Sequence, residues 1–451
     1  MPTQTRRPRR NVGYPQPVGI LAEYPSPGAL PTETFLSKRI AELQEHFPLL
    51  YAELCGVDTR APFFRQRERT WSADDIMHRA RYQVDARKED VLQGELQRMG
   101  ERSNPLWHIG LHTNEVSGAA YLTLSVDHML VDGKGLFILF SALLATDISD
   151  LPYESIPSIP LLEETIDIRP GFMFITSIML EELIAPKLPA WIRRSVVGTP
   201  SWPHVVSRSP ALCDPQISLL DLSLDLSSLK ARGKACGVPT LHPILKLAYV
   251  VALWHVLHEE SFKVQTPGSV RSSKLGHSHC TANYTSSLVL DMMARPDLDF
   301  WEEARRISRY MSSATGKKRA LEHMGALAYV PDPDPAASKR QPDRPTGWED
   351  FLGGKLDRLE TPSMSAVISN IGKVDLPQGA IDLIWGQGAS PFAGPIEVNV
   401  VSHQAGMRAT AVWREGAMIS KDKVVEVNRV WERVLSRLSE EREWTFHDLV
   451  E

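Results

Sequence analysis

The chain has 451 residues, of which 43% are hydrophobic and 23% are charged, and it carries a formal net charge of −5 at pH 7. This balance is typical of a soluble globular protein and argues against wholesale disorder. Neither the charge nor any interleaved basic and aromatic motif points to a nucleic-acid partner. The length exceeds what one hydrophobic core usually supports, so two domains are expected.

The cysteines and the apolar segments indicate the cellular setting. Four cysteines are scattered without a C-x-x-C pair, which disfavours a zinc knuckle or a disulfide framework and fits a reducing cytosol. The arginine-rich residues 1–10 precede no apolar segment, so we expect a flexible arm and not a secretory signal. No run reaches the ~18 apolar residues of a membrane span, since the nearest, residues 171–180, ends at Glu181. A cytoplasmic protein without a transmembrane segment is predicted.

In chain order, the first periodic segment is 33–47, where apolar residues recur on one helical face and Pro48 follows. Residues 88–102 predict a second, more charged helix. Residues 106–111 and 119–126 are rich in β-forming residues, so they predict two strands that pair with each other.

A polar turn separates the strand over 119–126 from the run 134–146, which is apolar, free of proline and predicts a buried helix. The turn contains His128, Asp132 and Gly133. A histidine fixed at a strand end can serve as a general base, and a glycine there permits a tight turn. An H-x-x-x-D spacing also arises by chance, so an ordinary histidine is the alternative. The flanking elements favour a functional residue.

Prolines recur from about residue 151 to residue 214, and proline fixes φ and removes a hydrogen-bond donor, so this segment cannot form one regular element. We therefore predict an N-terminal domain over 1–160, a proline-rich crossover over 161–215 and a C-terminal domain over 216–451.

The second half of the chain again mixes strand and helix patterns, without a short-period repeat. Residues 240–257 are apolar almost all round, which predicts a helix buried on most sides. Strands are predicted over 217–226, 286–292, 366–370, 396–402 and 407–413, and further helices over 300–311 and 423–438.

The turn at residues 127–133 (DHMLVDG) resembles the HHxxxDG signature of the CoA-dependent acyltransferase superfamily. That superfamily includes chloramphenicol acetyltransferase, the condensation domains of peptide synthetases, plant BAHD acyltransferases and fungal alcohol acetyltransferases. Three distant features add weight. Arg271, at the end of PGSVR, lies where the superfamily has an arginine after a strand; Asn283 and Tyr284 resemble its GNY element; and residues 369–372 (SNIG) resemble the SNLG loop of the alcohol acetyltransferases.

Two departures from the superfamily's motifs bear on the branch. Asp127 stands where the signature has its first histidine, a position that varies in BAHD enzymes and is usually histidine in condensation domains. Residues 384–388 (IWGQG) are only a partial echo of the DFGWG motif. The chain therefore resembles the fungal alcohol acetyltransferase branch most closely.

The resemblance implies an α/β fold (an α+β sandwich) with two chloramphenicol acetyltransferase-like domains and an interdomain channel. It implies a CoA-dependent O-acyltransferase that moves an acyl group, by resemblance acetyl, from a CoA thioester to a hydroxyl of a small acceptor. No acyl-enzyme is needed, and the chain has no G-x-S-x-G elbow. Acyl-CoA (acetyl-CoA) is then a co-substrate, no permanent cofactor or metal is expected, and the residues that contact CoA are not assigned. A monomer is expected.

His128 and Asp132 are the candidate catalytic residues, with His128 as general base. In the resembled family the aspartate points away from the channel and pairs with an arginine, so we expect Asp132 to pair with Arg271. Asp132 then holds the turn that presents His128. Gly133 and Arg271 give structural support to the site.

Ser369 and Asn370 are expected to donate hydrogen bonds to the tetrahedral oxyanion or to position the substrate. The alternative is a turn that caps a strand. Apolar residues of the crossover, within 172–179, hint at a small apolar acceptor. Two alternatives remain for the whole protein: an N-acyltransferase acting on an amine, and a catalytically inactive binding protein of the same fold.

Overall fold

The computed structural model describes residues 16–55, 63–101, 104–150, 161–184, 188–189, 200–222, 224–275, 279–329 and 347–451. The predicted arm over 1–10 and much of the predicted crossover lie outside these ranges. Among the described helices, none combines the length and the apolar character that crossing a bilayer requires.

The described elements are numbered in chain order. The strands are β1 (Pro17–Tyr24), β2 (Ala52–Cys55), β3 (Phe63–Gln66), β4 (Met77–Tyr82), β5 (Trp107–Asn114), β6 (Ala120–Asp127), β7 (Pro215–Leu222), β8 (Ser261–Ser269), β9 (Thr285–Met293), β10 (Ala366–Lys373), β11 (Asp382–Gln387), β12 (Ile396–His403) and β13 (Gly406–Arg414). The helices are α1 (Glu33–His46), α2 (Ala73–Ile76), α3 (Lys88–Glu101), α4 (Gly133–Leu144), α5 (Leu162–Thr165), α6 (Phe172–Met179), α7 (Leu226–Ala235), α8 (Leu241–Leu257), α9 (Phe300–Ser312), α10 (Ala314–Ala326), α11 (Gly347–Asp357), α12 (Lys421–Arg437) and α13 (Phe446–Val450).

The first sheet has five strands in the order β11-β1-β6-β5-β4. β1 pairs antiparallel with both β6 and β11, whereas β4 runs parallel to β5. Helices cover both faces of this sheet. Apolar residues of α1 and α4, such as Leu36 and Leu136, share a core with Ile20 on one face, while Leu92 of α3 packs with Leu21 on the other.

The second sheet has six strands in the order β7-β13-β12-β10-β8-β9. Its core is shared with α8, whose residues are buried over most of its circumference, as its apolar sequence predicts. α12 lies against α8, and the Trp431 indole Nε1 donates to the Leu245 carbonyl at 3.1 Å. The valines of α12 form the apolar stripe that the sequence predicts over 423–438.

The molecule is a mixed α/β fold with two sheet-containing halves, and β11 of the second half completes the first sheet. The predicted elements include neither β1 nor β11. Both strands are buried on both faces, so they lack the alternation of apolar and polar residues that marks a half-buried strand. The predicted helices over 33–47, 88–102, 134–146 and 240–257 are confirmed to within a few residues. The domain boundaries stay a prediction.

Candidate active site

The polar turn joins β6 directly to α4. β6 ends at Asp127, whose carboxylate Oδ1 accepts a 2.9 Å hydrogen bond from the Met129 backbone N–H. The Leu130 N–H donates to the Asp127 carbonyl oxygen, also at 2.9 Å. An aspartate side chain that accepts from the backbone two residues on forms an Asx turn. The residue that departs from the HHxxxDG signature therefore stabilises the turn itself.

The His128 ring is held in one tautomer. Its Nδ1 lies 2.5 Å from the Val131 carbonyl oxygen. Because a carbonyl oxygen only accepts hydrogen bonds, Nδ1 carries the proton, and the lone pair of the neutral ring is on Nε2. His128 is 5% exposed and borders a cavity of about 730 Å³ between the two halves. The neutral imidazole thus has the tautomer that lets Nε2 accept a proton.

The Asp132 carboxylate accepts hydrogen bonds from both halves of the chain. Oδ1 accepts from the Gly135 N–H at 2.8 Å, which caps the N-terminus of α4. Oδ2 accepts from Arg271 Nη1 at 2.8 Å, from the Tyr284 N–H at 2.9 Å and from the Thr285 hydroxyl at 3.1 Å. The Asp132 and Arg271 side chains are each 5% exposed, so the ion pair is buried. Both carboxylate oxygens of Asp132 are engaged by the scaffold.

Arg271 also joins the end of β8 to the loop before β9. Its Nε donates to the Cys280 carbonyl at 2.7 Å, and its Nη2 donates to the Thr281 and Ala282 carbonyls. This loop comes so close to α4 that a Cβ atom on Gly135 would lie 1.8 Å from the Thr281 carbonyl oxygen. The close approach therefore requires glycine at position 135. Sequence reasoning did not single out that residue.

Asn283 clamps the turn from the second half. Its Nδ2 donates to the His128 carbonyl at 2.8 Å and to the Met129 carbonyl at 3.0 Å. The resemblance to the GNY element drew attention to Asn283 and Tyr284 without giving them a role. Their roles depend on contacts between segments 150 residues or more apart in the sequence, which no local pattern reveals.

Residues from both halves line the cavity. The first half contributes the turn itself, and the second half contributes strands β8 to β12. The predicted catalytic turn and the SNIG loop therefore meet at one cavity. The lining includes Gln16, His128, Asp132, Gly133 and Lys134 from the first half, and Thr285, Ser287, Val289, Ser369, Asn370, Ile371, Trp385, Gln387 and Glu397 from the second.

Ser369 and Asn370 lie at the end of regular pairing in β10. The register between β10 and β12 shifts after Asn370. Asn370 Oδ1 accepts from the Gly372 N–H at 2.8 Å, and Gly372 has a positive φ of 88°. The side-chain oxygen of Asn370 thus stabilises a local turn, which agrees with the alternative of a turn that caps a strand. The side-chain Nδ2 of Asn370 can still donate a hydrogen bond. Both residues border the cavity.

Residues 384–387 of the segment that partly matches DFGWG lie in β11, and Gly388 follows the strand. Trp385 Nε1 donates to the Val400 carbonyl at 3.0 Å, and its ring meets Phe137 edge-on with centroids 6.1 Å apart. A Cβ atom on Gly133 would lie 3.3 Å from this indole. Gly133 therefore lets the start of α4 pack against the cavity wall, which is consistent with its predicted supporting role.

A buried carboxylate that sequence reasoning missed borders the same cavity. Glu397 is 3% exposed; its Oε1 accepts from the Ser390 N–H at 3.3 Å, and its Oε2 accepts from the Gln387 side-chain amide. The signal was available, because Glu397 is a charged residue inside the otherwise largely apolar strand IEVNVVSH. A glutamate is rarely buried unless its carboxylate is paired, so a glutamate in a strand that is buried on both faces indicates a specific polar contact.

The predicted apolar residues of the crossover divide into two groups. Phe174 is buried and borders the cavity, whereas Phe172 and Met173 are 81% and 83% exposed. The Arg319 guanidinium lies 4.5 Å from the Phe174 ring centroid and also borders the cavity. The cavity wall is thus mixed in polarity.

No protein-family model matches the sequence, and no curated protein matches it. Solved structures do match it, over 94% or more of this chain. The epimerization domain from the third module of tyrocidine synthetase B aligns with a TM-score of 0.57 and 12% identity, covering 95% of this chain and 93% of that one.

The starter condensation domain of rhizomide synthetase, solved in complex with C8-CoA and Leu-SNAC, aligns with a TM-score of 0.59 and 12% identity over 98% of this chain and 94% of that one. A cyclization-docking bidomain from Sorangium cellulosum aligns with a TM-score of 0.59 and 16% identity, covering 95% of this chain and 81% of that one. These relatives confirm the predicted fold, that of condensation domains and chloramphenicol acetyltransferase. At such identities they establish the fold alone, and the alcohol acetyltransferase branch stays a prediction.

Proposed function

We propose that this protein is an acyltransferase that moves an acyl group from a CoA thioester to the hydroxyl of a small acceptor, with His128 as general base. The observation that carries the proposal is the position of His128: its ring donates the Nδ1 proton to the Val131 carbonyl, and the residue borders a cavity that both halves of the chain line. A volume of about 730 Å³ lies within the range of small-molecule sites.

The proposed step balances without a covalent enzyme intermediate. The acceptor hydroxyl gives its proton to His128 Nε2 while its oxygen attacks the thioester carbonyl carbon. The tetrahedral intermediate then reforms the C=O bond as the C–S bond breaks. The departing thiolate takes the proton back from Nε2 and leaves as free CoA thiol. A neutral histidine is suited to this near pH 7, because its reference pKa is about 6.5.

Two groups of residues support the step. Ser369 and Asn370 carry a hydroxyl and an amide that can donate to the developing oxyanion, a contribution typically worth ~10² to 10³ in rate per donor. Asp132 and Arg271 hold the turn that presents His128 and act as positioning residues. Acyl-CoA as donor is supported by the C8-CoA in the rhizomide synthetase domain, and acetyl-CoA by the resemblance alone.

A free-thiol release assay with acetyl-CoA and longer acyl-CoAs, against a panel of alcohols, tests the proposal. The substitution His128→Ala is expected to lower kcat per folded molecule by ~10² to 10⁴. His258→Asn is the matched control, because His258 is exposed and adopts the left-handed conformation that asparagine tolerates. Undiminished thiol release by His128→Ala removes His128 as the base. Binding of acyl-CoA without release for any acceptor indicates the inactive binding protein instead.

Glu397 favours a second candidate, an amine acceptor. A buried carboxylate on the cavity wall attracts a protonated amine, which passes one proton to solvent. The free amine then attacks the thioester and gives a second proton to His128 Nε2, which returns it to the departing thiolate. Under this alternative, Glu397→Gln lowers kcat/KM for amines by about 10-fold or more, as loss of a hydrogen bond to a charged group typically does. Alcohols lack the charge and are affected much less. An equal effect on both acceptor classes contradicts the amine candidate.

A further inference from the structure

Away from the cavity, three side chains in the described part of the chain converge with the spacing of a metal site. They are His78 on β4, Glu95 on α3 and His112 on β5, and one ligand atom from each lies within 4.8 Å of the other two. Glu95 Oε1 is 3.0 Å from His78 Nε2 and 3.9 Å from His112 Nε2. The His112 and Glu95 side chains are 0% and 3% exposed, and His78 is 20% exposed.

The fold brings these groups together between the first sheet and α3. In β5, Trp107, Ile109 and Leu111 face the core shared with α1 and α4. The alternate residues His108, Gly110 and His112 therefore face α3, because side chains alternate along a strand. The ligands come from three separate elements, which is why the sequence, where no metal is expected, does not reveal the site.

We propose that His78, Glu95 and His112 bind Zn²⁺ or a similar divalent transition metal. Two histidines and one glutamate, with a fourth position left open, are a common ligand set for zinc. Tetrahedral bonds of about 2.0–2.1 Å place neighbouring ligand atoms roughly 3.3 Å apart. The two separations from Glu95 Oε1, 3.0 Å and 3.9 Å, lie on either side of that value, and all three ligand atoms lie within 4.8 Å of one another.

Further groups orient the ligands as the outer groups of metal sites do. His108 Nε2 lies 2.7 Å from Glu95 Oε2, the oxygen on the far side from His78. The Tyr82 hydroxyl lies 3.3 Å from His112 Nδ1, which leaves His112 Nε2 to point at the centre of the cluster. A Cβ atom on Gly110 would lie 2.3 Å from His112 Nε2 and 3.0 Å from Glu95 Oε2. Gly110 therefore keeps the space beside the ligand atoms open.

Two groups compete with the metal. The first is Arg98, whose side chain is 53% exposed and whose Nε lies 3.4 Å from Glu95 Oε1. The second is Thr123, whose hydroxyl lies 3.2 Å from His112 Nε2.

A metal here would fix α3 between the two sheets. α3 also bonds to the second sheet, since Gln93 Nε2 donates to the Pro215 carbonyl at 2.8 Å and Gln93 Oε1 accepts from the Ile217 N–H at 3.2 Å. The proposed site thus joins β4 and β5 to the helix that contacts β7. The proposed site shares no residue with the lining of the acyl-transfer cavity.

The test is the metal affinity of the full-length protein after chelator treatment, measured by competition with a chromophoric zinc chelator. We expect one equivalent of Zn²⁺ per chain, a rise in melting temperature on adding Zn²⁺, and a visible absorption band with Co²⁺. Each of His78→Asn, Glu95→Gln and His112→Asn should weaken the affinity at least ~100-fold. Loss of the outer hydrogen bond in His108→Asn should weaken it ~10- to 100-fold. His258→Asn is the control and should leave the affinity unchanged.

Two variants with partly exposed side chains keep the test decisive if substitution of a buried ligand impairs folding. His78 is partly exposed, so His78→Asn tests the site with little disturbance of the core. Arg98→Ala removes a competing cation and should leave the affinity for Zn²⁺ equal or higher. Wild-type protein that binds no stoichiometric Zn²⁺, or that binds it equally well in the His78 and His112 variants, overturns the proposal. The cluster is then a buried ion-pair network only.

Discussion

The Asp132 carboxylate is bonded to four donors, three of them from the second half of the chain. We predict that Asp132→Ala lowers both stability and rate, because it leaves the buried Arg271 guanidinium without its carboxylate and α4 without its cap. Breaking a buried ion pair on one side typically costs about 3–5 kcal/mol. Urea unfolding monitored by circular dichroism gives the free energy of unfolding, and thiol release per folded molecule gives the rate.

Asp225 supplies a matched control for that substitution. It caps α7 by accepting from the Ser227 and Ser228 N–H groups, yet it is exposed. Asp225→Ala should therefore cost only about 1 kcal/mol, the usual effect of losing a helix cap. If Asp132→Ala were as stable as this control but lost all turnover, Asp132 would take a direct part in the chemistry and not a positioning one.

At the scale of the element, α4 can approach the loop before β9 only because position 135 lacks a side chain. Gly135→Ala would bring a Cβ atom to 1.8 Å from the Thr281 carbonyl oxygen, and this backbone atom cannot rotate away. We predict a loss of about 1–3 kcal/mol, as overpacking typically costs, together with a weaker Asp132–Arg271 contact and lower kcat. Unfolding in urea and the thiol assay measure the two effects.

Gly94 is the control for this prediction, since it lies within α3 and a Cβ atom there would meet nothing within 4 Å. Alanine at position 94 should stabilise the protein by about 0.5–1 kcal/mol, because glycine is a poor helix former. A Gly135→Ala variant that is stabilised to the same extent would show that α4 does not need the close approach.

Elements with a strong local pattern are the part of the fold that the sequence predicts well. The amphipathic stripe of α1 and the continuous apolar run of α8 decide their structure locally. β1 and β11 have no such pattern, because both of their faces are buried against distant segments of the chain. The same distinction holds for the site. The turn around His128 is marked by its flanking elements, and Glu397 is marked by its charge within a largely apolar strand. The Asn283 clamp acts through partners more than 150 residues away in the sequence.

At the scale of the whole molecule, one carboxylate links the two sheets. Asp382 begins β11 in the first sheet. Its Oδ1 lies 3.0 Å from Arg408 Nε on β13 and 3.0 Å from His403 Nε2 on β12, both in the second sheet. Lys88 of α3 pairs with Asp382 and, at 2.8 Å, with Glu23 of β1. The crossing of β11 into the first sheet is therefore accompanied by a buried charge network.

The network has a consequence for stability in acid. Burial tends to raise the pKa of Asp382, but hydrogen bonds from His403 and Lys88 and the charges of Lys88 and Arg408 outweigh it, so the pKa is held well below its usual 3.8. The unfolded chain therefore binds a proton at a higher pH than the folded chain does. The stabilisation by Asp382 is complete above about pH 5 and declines as the pH falls through about pH 4, by at most about 1.4 kcal/mol per pH unit.

We predict that Asp382→Asn costs about 3–5 kcal/mol at pH 7, because the buried cations lose their shared partner. The stability gap between wild type and variant should narrow between about pH 4 and about pH 2.5, since the Asp382 carboxyl titrates in the wild type alone. Urea unfolding at a series of pH values measures the gap. Asp221→Asn is the control: Asp221 pairs with the same Arg408, but its side chain is 57% exposed, so its loss should cost under about 1 kcal/mol. A gap that stayed constant with pH would mean that Asp382 does not supply this part of the acid sensitivity.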